Sequence, residues 1–509
     1  MGPLQWYWRN PVSFDTLAEK AIARARAPSP ARTGSLARLV GLTLEARGIM
    51  APLGAVCEVV GEGGHRIEAE VVGFQDQTLF LMPFVEPKGV GPGDLVRVIE
   101  QTAHARLGPE LLGRVVGPRG EALDGLPDPD CKDKLSLLGL SVNPMERGPI
   151  DQVLDVGVKA INGMLTMGRG QRIGLIAGSG VGKSSLLGML TRYTKADLVV
   201  IGLIGERGRE VQAFIQESLG PEGLAKSVVV AAPANVSAVL RLKAAQYAHL
   251  IAEYFRDQGM NVLLLVDSLT RVAHAQREIG LAVGEPPTAK GYPPSVFSLL
   301  PTLIERAGVG RHGHGAITAV YTVLAENDDA SDPVVDISRA SLDGQVMLSR
   351  ALADAAHYPA IDLNGSISRV MQNLVDPAAQ KAANRLRRLW SLYQQNQDLI
   401  QVGAYQAGTN PDLDAAIRLR PDLASFLCQD MHSPASYDET KDALMTLYDR
   451  SVAEPAAQSA AANPGGRAMG KAPGMAVPPM GAARPQQQPA GAGMGFGLGA
   501  GAMGGGGAR

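Results

Sequence analysis

Residues 177–184 read Ala177-Gly178-Ser179-Gly180-Val181-Gly182-Lys183-Ser184. An apolar run at 173–176 precedes them, and Leu186-Leu187-Gly188-Met189-Leu190 follows at helical spacing. Strand, glycine-rich loop and helix in that order commit the surrounding chain to an α/β layer with a mainly parallel sheet. The glycines let backbone N–H groups turn inward, and the helix N-terminus adds its dipole, so the loop can cradle phosphate. At this spacing Lys183 reaches the β- and γ-phosphates of a nucleotide and the Ser184 hydroxyl suits Mg²⁺. Gly178, Ser179, Gly180, Val181, Gly182 and Ser185 complete the expected nucleotide-binding loop. Ala177 stands where the strict pattern has Gly, and the adjacent Gly178 supplies the freedom that position needs.

Further apolar runs lie at 198–204, 228–232, 262–266 and 317–324, separated by helical stretches. They predict an α/β domain over 151–375. The run ending at Asp267 places a carboxylate at the end of a buried strand, where it can hold magnesium through water. The run at 198–204 ends in Gly205-Glu206-Arg207-Gly208-Arg209-Glu210. Ligands sit at the carboxyl ends of such strands. Glu206 is therefore placed to polarise a water attacking the γ-phosphate, and Arg207 to neutralise phosphate charge. Taken alone, this cluster also fits a solvated charged turn.

The flanks differ in character. Short strand signals from Leu36 to Ile99, such as Arg66-Ile67-Glu68-Ala69-Glu70-Val71, predict a β-barrel over 32–105. Gly and Pro through 106–150 read as a connector. Residues 376–452 lack strand signals, and Leu386, Leu389, Trp390 and Tyr393 recur at helical spacing, which predicts a helical C-terminal domain. From 454 to 509 the chain is Gly, Ala, Pro, Met and Gln, a composition that cannot offset its ordering entropy and reads as a disordered tail. At the other end Phe14, Leu17, Ala21 and Ile22 mark an amphipathic helix within 1–30. Its apolar face is covered either by a partner or membrane surface or by the protein itself.

Composition excludes several classes. The net charge of −2 over 509 residues argues against a general nucleic-acid coat. Cys57, Cys131 and Cys428 are too far apart for a zinc site or disulfide scaffold and read as reduced thiols. Neither a membrane-spanning run nor a secretory leader is legible. The sequence shows no metal-ligand cluster beyond the magnesium site, no second-substrate motif and no nucleophile with a paired histidine.

These motifs together resemble the catalytic-subunit family of rotary ATPases, and within it the type III export ATPases. The resemblance rests on Gly205-Glu206-Arg207-Gly208-Arg209-Glu210-Val211, Asp267-Ser268-Leu269-Thr270-Arg271 and Ala275-Gln276-Arg277-Glu278. Gly284-Glu285-Pro286-Pro287-Thr288, Lys290-Gly291-Tyr292-Pro293-Pro294-Ser295-Val296-Phe297, Tyr358-Pro359-Ala360-Ile361-Asp362 and Ser366-Ile367-Ser368-Arg369-Val370-Met371 are similar to runs of the export branch. It extends from about 36 to 450. Val72-Gly73-Phe74-Gln75-Asp76-Gln77-Thr78-Leu79-Phe80-Leu81-Met82-Pro83 and residues 39–48 resemble the barrel of the flagellar members. Gln345, Asn327 and His274 depart from the usual His, Gly and Met.

The resemblance implies an N-terminal barrel, a central P-loop sheet domain of RecA type and a helical C-terminal domain. It implies Mg²⁺-dependent ATP hydrolysis, with Glu206 and Lys183 catalytic, Tyr358 stacked on adenine, and Arg369 reaching the neighbouring subunit's γ-phosphate in a homo-hexamer. It further implies a stator-like negative regulator at the N-terminus, export-gate membrane proteins, chaperone–cargo complexes docking at 376–452, and a cytoplasmic protein peripherally associated with the inner membrane. The C-terminal helices equally fit a plain cap on the ring. Four rivals stand against this. A non-catalytic ring subunit would lack Glu206. A nucleic-acid translocase would want a basic or aromatic-rich barrel. An ATP synthase subunit or virulence-type secretion ATPase shares the core but not every export or flagellar run.

Overall fold

The computed structural model describes residues 33–139, 142–311, 314–325 and 332–453. The expected N-terminal helix, the glycine-rich tail and Asn327 lie outside them.

Six antiparallel strands, β1 (Thr33–Val40), β2 (Thr43–Arg47), β3 (Val56–Val60), β4 (Arg66–Gln75), β5 (Thr78–Pro83) and β6 (Leu95–Glu100), form a closed barrel in the order β1-β2-β5-β4-β3-β6. β1 pairs with β6 to complete it. The alternation read at 66–71 works as expected: Ile67, Ala69 and Val71 point inward, and aliphatic side chains such as Leu44, Val59 and Leu81 fill the interior. Closure removes the free edges that short strands would otherwise expose.

The segment read as a connector does more than connect. Its strand β7 (Val115–Val116) joins the edge of the central sheet, parallel to β10 (Ser227–Ala232). An Arg114–Asp124 pair, with contacts of 2.7 and 3.0 Å, pins the following loop. That pairing holds the Asp124 carboxyl down at about 2.

The central sheet is built on β8 (Arg172–Ala177), β9 (Leu198–Ile204), β10, β11 (Asn261–Asp267), β12 (Ala316–Leu324), β13 (Gly344–Leu348) and β14 (Ile361–Ser368). Its order is β14-β13-β8-β12-β11-β9-β10-β7, and every pair on that path is parallel except β13–β14. The five long apolar runs are the five central strands. They are continuous because helices cover both faces: Val199, Ile201 and Leu203 enter one core, while Leu198, Val200 and Ile204 enter the other. β13 and β14 were not foreseen. They form one side of the sheet, with β14 at its edge, and have mixed burial, so neither carries a continuous apolar run.

The helices that matter to the site are α1 (Lys183–Tyr193), α2 (Ala238–Asp257), α3 (Leu269–Ala282), α4 (Pro294–Ile304), α5 (Pro333–Ser341), α6 (Pro377–Gln395), α7 (Pro411–Leu427) and α8 (Tyr437–Val452). Leu386, Leu389 and Trp390 of α6 are buried as their spacing predicts. They share one continuous core with α1 and one face of the sheet. The C-terminal helices are thereby fixed to the P-loop helix. On Trp390 lies the guanidinium of Arg420, 3.6 Å from the ring centre. The barrel is tied to α2 by Lys243, whose ammonium meets Glu70 at 2.6 Å against the ring of Phe84.

The departures from the family pattern are accommodated. Gln345 accepts from Arg339 at 2.9 Å and donates to the Gly365 carbonyl at 2.7 Å. His274 stacks on Tyr292.

Candidate active site

Where β8 ends the chain turns through Gly180 and Gly182, whose φ angles of 79° and 92° lie in the left-handed region. Only glycine adopts these without strain, which is what the motif spacing implied. Gly182 flanks α1, and no side chain caps the helix's first turn. The N–H groups of that turn face outward with the positive end of the dipole, a ready anion site. From the other side Arg350 steadies the loop, donating to the Ser179 carbonyl at 3.0 Å.

Above the loop is a cleft of about 540 Å³. Gly178, Ser179, Gly180, Lys183, Ser184 and Ser185 line it, with Glu206, Arg207 and Asp267 from the ends of the neighbouring strands. Residues from three separate strand ends thus meet in one place, because the parallel sheet directs all its carboxyl ends to the same edge. Lys183 Nζ lies 2.6 Å from Asp267 Oδ1 and 3.6 Å from Glu206 Oε1. The Asp267 oxygen also accepts from the Thr322 hydroxyl at 2.6 Å, which fixes the carboxylate. Glu206 is 9% exposed, and its Oε1 has no hydrogen-bond partner among the described residues. Burial first, and the Asp267 charge second, push the Glu206 carboxyl up to about 7, against the pull of Lys183 and Arg271. A buried acid poised near neutrality beside a phosphate loop is equipped to take a proton.

The remaining predicted residues fall into different places. Val181 lies buried beneath the loop. Arg207 is largely exposed on the cleft rim and pairs with Glu210 at 3.0 Å, a solvated ion pair beside the buried Glu206. Tyr358 is not in the cleft. It stands beside Gly182, half exposed, on an adjoining cavity of about 930 Å³ that Ser185, Cys428 and Gln429 also line. Arg369 follows β14 and is exposed, outside its own chain's cleft; its guanidinium donates to the Arg339 carbonyl at 3.3 Å.

Three cleft residues escaped sequence reasoning. Arg271 lies one turn after Asp267, its Nε buried without a partner and its side chain packed against Gly205, where φ is 71°. That one-turn spacing on α3 was the available signal. Glu210 sits one turn beyond Glu206, and Arg350 enters from beyond β13, a strand the sequence did not reveal.

Fold and cleft together define a P-loop nucleotide hydrolase. The profile of the ATP synthase alpha/beta family nucleotide-binding domain matches residues 157–368. That of the T3SS EscN ATPase C-terminal domain matches 375–446. The flagellum-specific ATP synthase of Salmonella typhimurium is 53% identical, over 83% of this chain and 94% of the relative. Its Pseudomonas aeruginosa counterpart is also 53% identical, over 82% and 93%. A type 3 secretion system ATPase from Xanthomonas euvesicatoria is 45% identical, over 82% of this chain and 94% of the relative. The solved structure of assembled EscN from enteropathogenic E. coli superposes with a TM-score of 0.78 at 42% identity, covering 82% of this chain and all of that one. The chain belongs to the ATP synthase alpha/beta family, in its flagellar type III export branch, and is an ATP-hydrolysing enzyme.

Proposed function

We propose that ATP hydrolysis in the P-loop cleft energises export of flagellar proteins by releasing or unfolding chaperone-bound cargo at a membrane export gate. The observation that carries this is the meeting of Lys183, Glu206 and Asp267 in one cleft of a chain 53% identical to flagellum-specific ATP synthases. Each residue has a task. The loop amides and Lys183 bind the β- and γ-phosphates, and Lys183 leaves Asp267 to do so. Glu206, with an unpartnered buried oxygen, orients water and holds its proton. Arg207 and Arg271 add positive charge at the rim. Tyr358 stacks on the base in the adjoining cavity.

The donor set fits magnesium: an exposed hydroxyl at Ser184 and a fixed carboxylate at Asp267, both oxygen ligands on one cleft, beside the orphaned oxygen of Glu206. When bound, the ion would neutralise charge on the phosphates.

The working form is read as a homo-hexameric ring. Arg369 is exposed and away from its own cleft, as an arginine serving a neighbour must be. EscN is solved as an assembled ATPase and with its central stalk EscO, which makes an assembled ring and a central partner the natural expectation here. A cytoplasmic enzyme docked at the inner membrane follows from the same reading. Among the described residues no helix is long and apolar enough to cross a membrane.

A chaperone–cargo complex of a flagellar subunit tests the reading. The purified protein with Mg-ATP is expected to release cargo, measured by fluorescence anisotropy, and a non-hydrolysable analogue is not. Release without hydrolysis, or no binding of any flagellar chaperone, would leave a generic ring ATPase.

A further inference from the structure

The cavity beside Tyr358 has a second chemically active wall. Cys428 follows α7 and lines the cavity. Its sulfur lies 3.2 Å from Nδ1 of His357, the residue preceding Tyr358. The sequence showed no nucleophile paired with histidine because the two stand 71 positions apart; the segment just after α7 meets the loop before β14, where the Gln429 N–H donates to the Tyr358 carbonyl. His357 is 8% exposed, and its Nε2 has no hydrogen-bond partner among the described residues. Trp390 backs the ring, with centroids 5.8 Å apart. Burial, and then the neighbouring Arg420, hold the imidazole below its ordinary pKa, so it meets the thiol as a neutral ring that takes the proton only as the sulfur attacks. A neutral imidazole in contact with a thiol can draw off its proton and expose the nucleophilic thiolate.

The other cysteines are unlike it. Cys57 is buried in the barrel core, where burial pushes its thiol up to about 11. Cys131 is buried as well and raised for the same reason. Cys428 alone of the three is partly accessible.

We propose that Cys428, activated by His357, is a thiol-modification site whose occupancy shuts nucleotide out of the adjoining cavity. The effect on nucleotide rests on Tyr358 marking the base site. The reagent class is a disulfide. The Cys428 thiolate attacks one of its sulfurs, a new S–S bond forms, and the reagent's own S–S bond breaks. Cys428 is oxidised, the departing sulfur leaves as a thiolate with the electron pair, and the Cys428 proton passes to His357 Nδ1 and on to water. The adduct then occupies the wall that Gly182 and Ser185 of the phosphate loop share. Coupling to Tyr358 is direct, since the Gln429 N–H donates to the Tyr358 carbonyl at 2.9 Å.

The test titrates the full-length protein with dithiobis(nitrobenzoate), with and without ADP. One thiol per chain is expected to react fast, ADP to slow it about ten-fold or more, and Cys428→Ser to abolish it. His357→Gln should slow the reaction several-fold without changing its stoichiometry. Modified wild-type protein should bind ADP about ten-fold more weakly until a thiol reductant restores it, whereas the reagent should not change the affinity that Cys428→Ser shows before treatment. Fast labelling that survives Cys428→Ser, or no fast labelling before unfolding, overturns the site. Labelled Cys428 with unchanged ADP affinity overturns the blockade. Tyr358→Ala separates the two readings. If it weakens ADP binding while Cys428 stays inert, the base site stands and this inference falls; if ADP binding is unaffected, the base site itself is misplaced.

Discussion

Lys183→Ala is expected to abolish ATP hydrolysis. The lysine is the side-chain cation of the phosphate loop, and it also sits between two carboxylates, 2.6 Å from Asp267 and 3.6 Å from Glu206. Its removal has two consequences of the same sign. The γ-phosphate loses a charge-assisted contact that strengthens as charge develops, a loss of about 10²–10³ in rate from that contact alone. Asp267 and Glu206 are left to repel one another in a half-buried cleft, which pushes Glu206 further towards its protonated, useless form. Phosphate release by the purified variant should therefore fall to background, with nucleotide affinity weakened as well. Turnover near the wild-type rate would show that the loop does not hold the reacting phosphate.

Arg369→Ala should be nearly as severe, for a different reason. Arginine fingers stabilise charge in the transition state and are worth about 10³–10⁵ in rate. Arg369 lies just past the edge strand β14, exposed and outside its own cleft, and in the proposed ring its target is the phosphate held by the neighbouring subunit. Nucleotide affinity should change little, because the contact forms only as the phosphoryl group transfers. Mixing Arg369→Ala with Glu206→Gln chains gives some interfaces with an intact carboxylate on one side and an intact arginine on the other. Those interfaces should recover part of the activity that both pure variants lack. Proven mixed rings without recovery would assign Arg369 to its own chain.

Much of this site was legible before the fold was known, because its chemistry is local in sequence. The phosphate loop needs glycines at fixed offsets from Lys183, and a buried strand announces itself by a run of aliphatic residues. Asp267 and Glu206 were found because each closes such a run. What stayed hidden depends on distant contacts. The outer strands β13 and β14 carry no continuous apolar run, so the entry of Arg350 could not be foreseen. The raised Glu206 carboxyl needs burial and the nearness of Asp267, neither of which is written in the local sequence. Val115–Val116 was hidden in a glycine-rich segment because two residues make too short a signal. The pairing of Cys428 with His357 arises only when the segment after α7 meets the loop before β14.

Glu206→Gln tests the central claim most directly, by separating nucleotide affinity from single-turnover hydrolysis. The amide fills the same space but cannot take the water's proton. Affinity for Mg-ATP should stay within a few-fold of wild type while the hydrolysis rate falls by about 10²–10⁴. The pH profile adds an internal check. A carboxyl raised to about 7 must ionise to act as a base, so wild-type kcat/KM should climb as pH rises through neutrality, and the variant's residual rate should lack that step. A variant that loses binding together with rate, or that turns over normally with the same pH profile, would show that Glu206 shapes the cleft and that hydrolysis is driven from elsewhere.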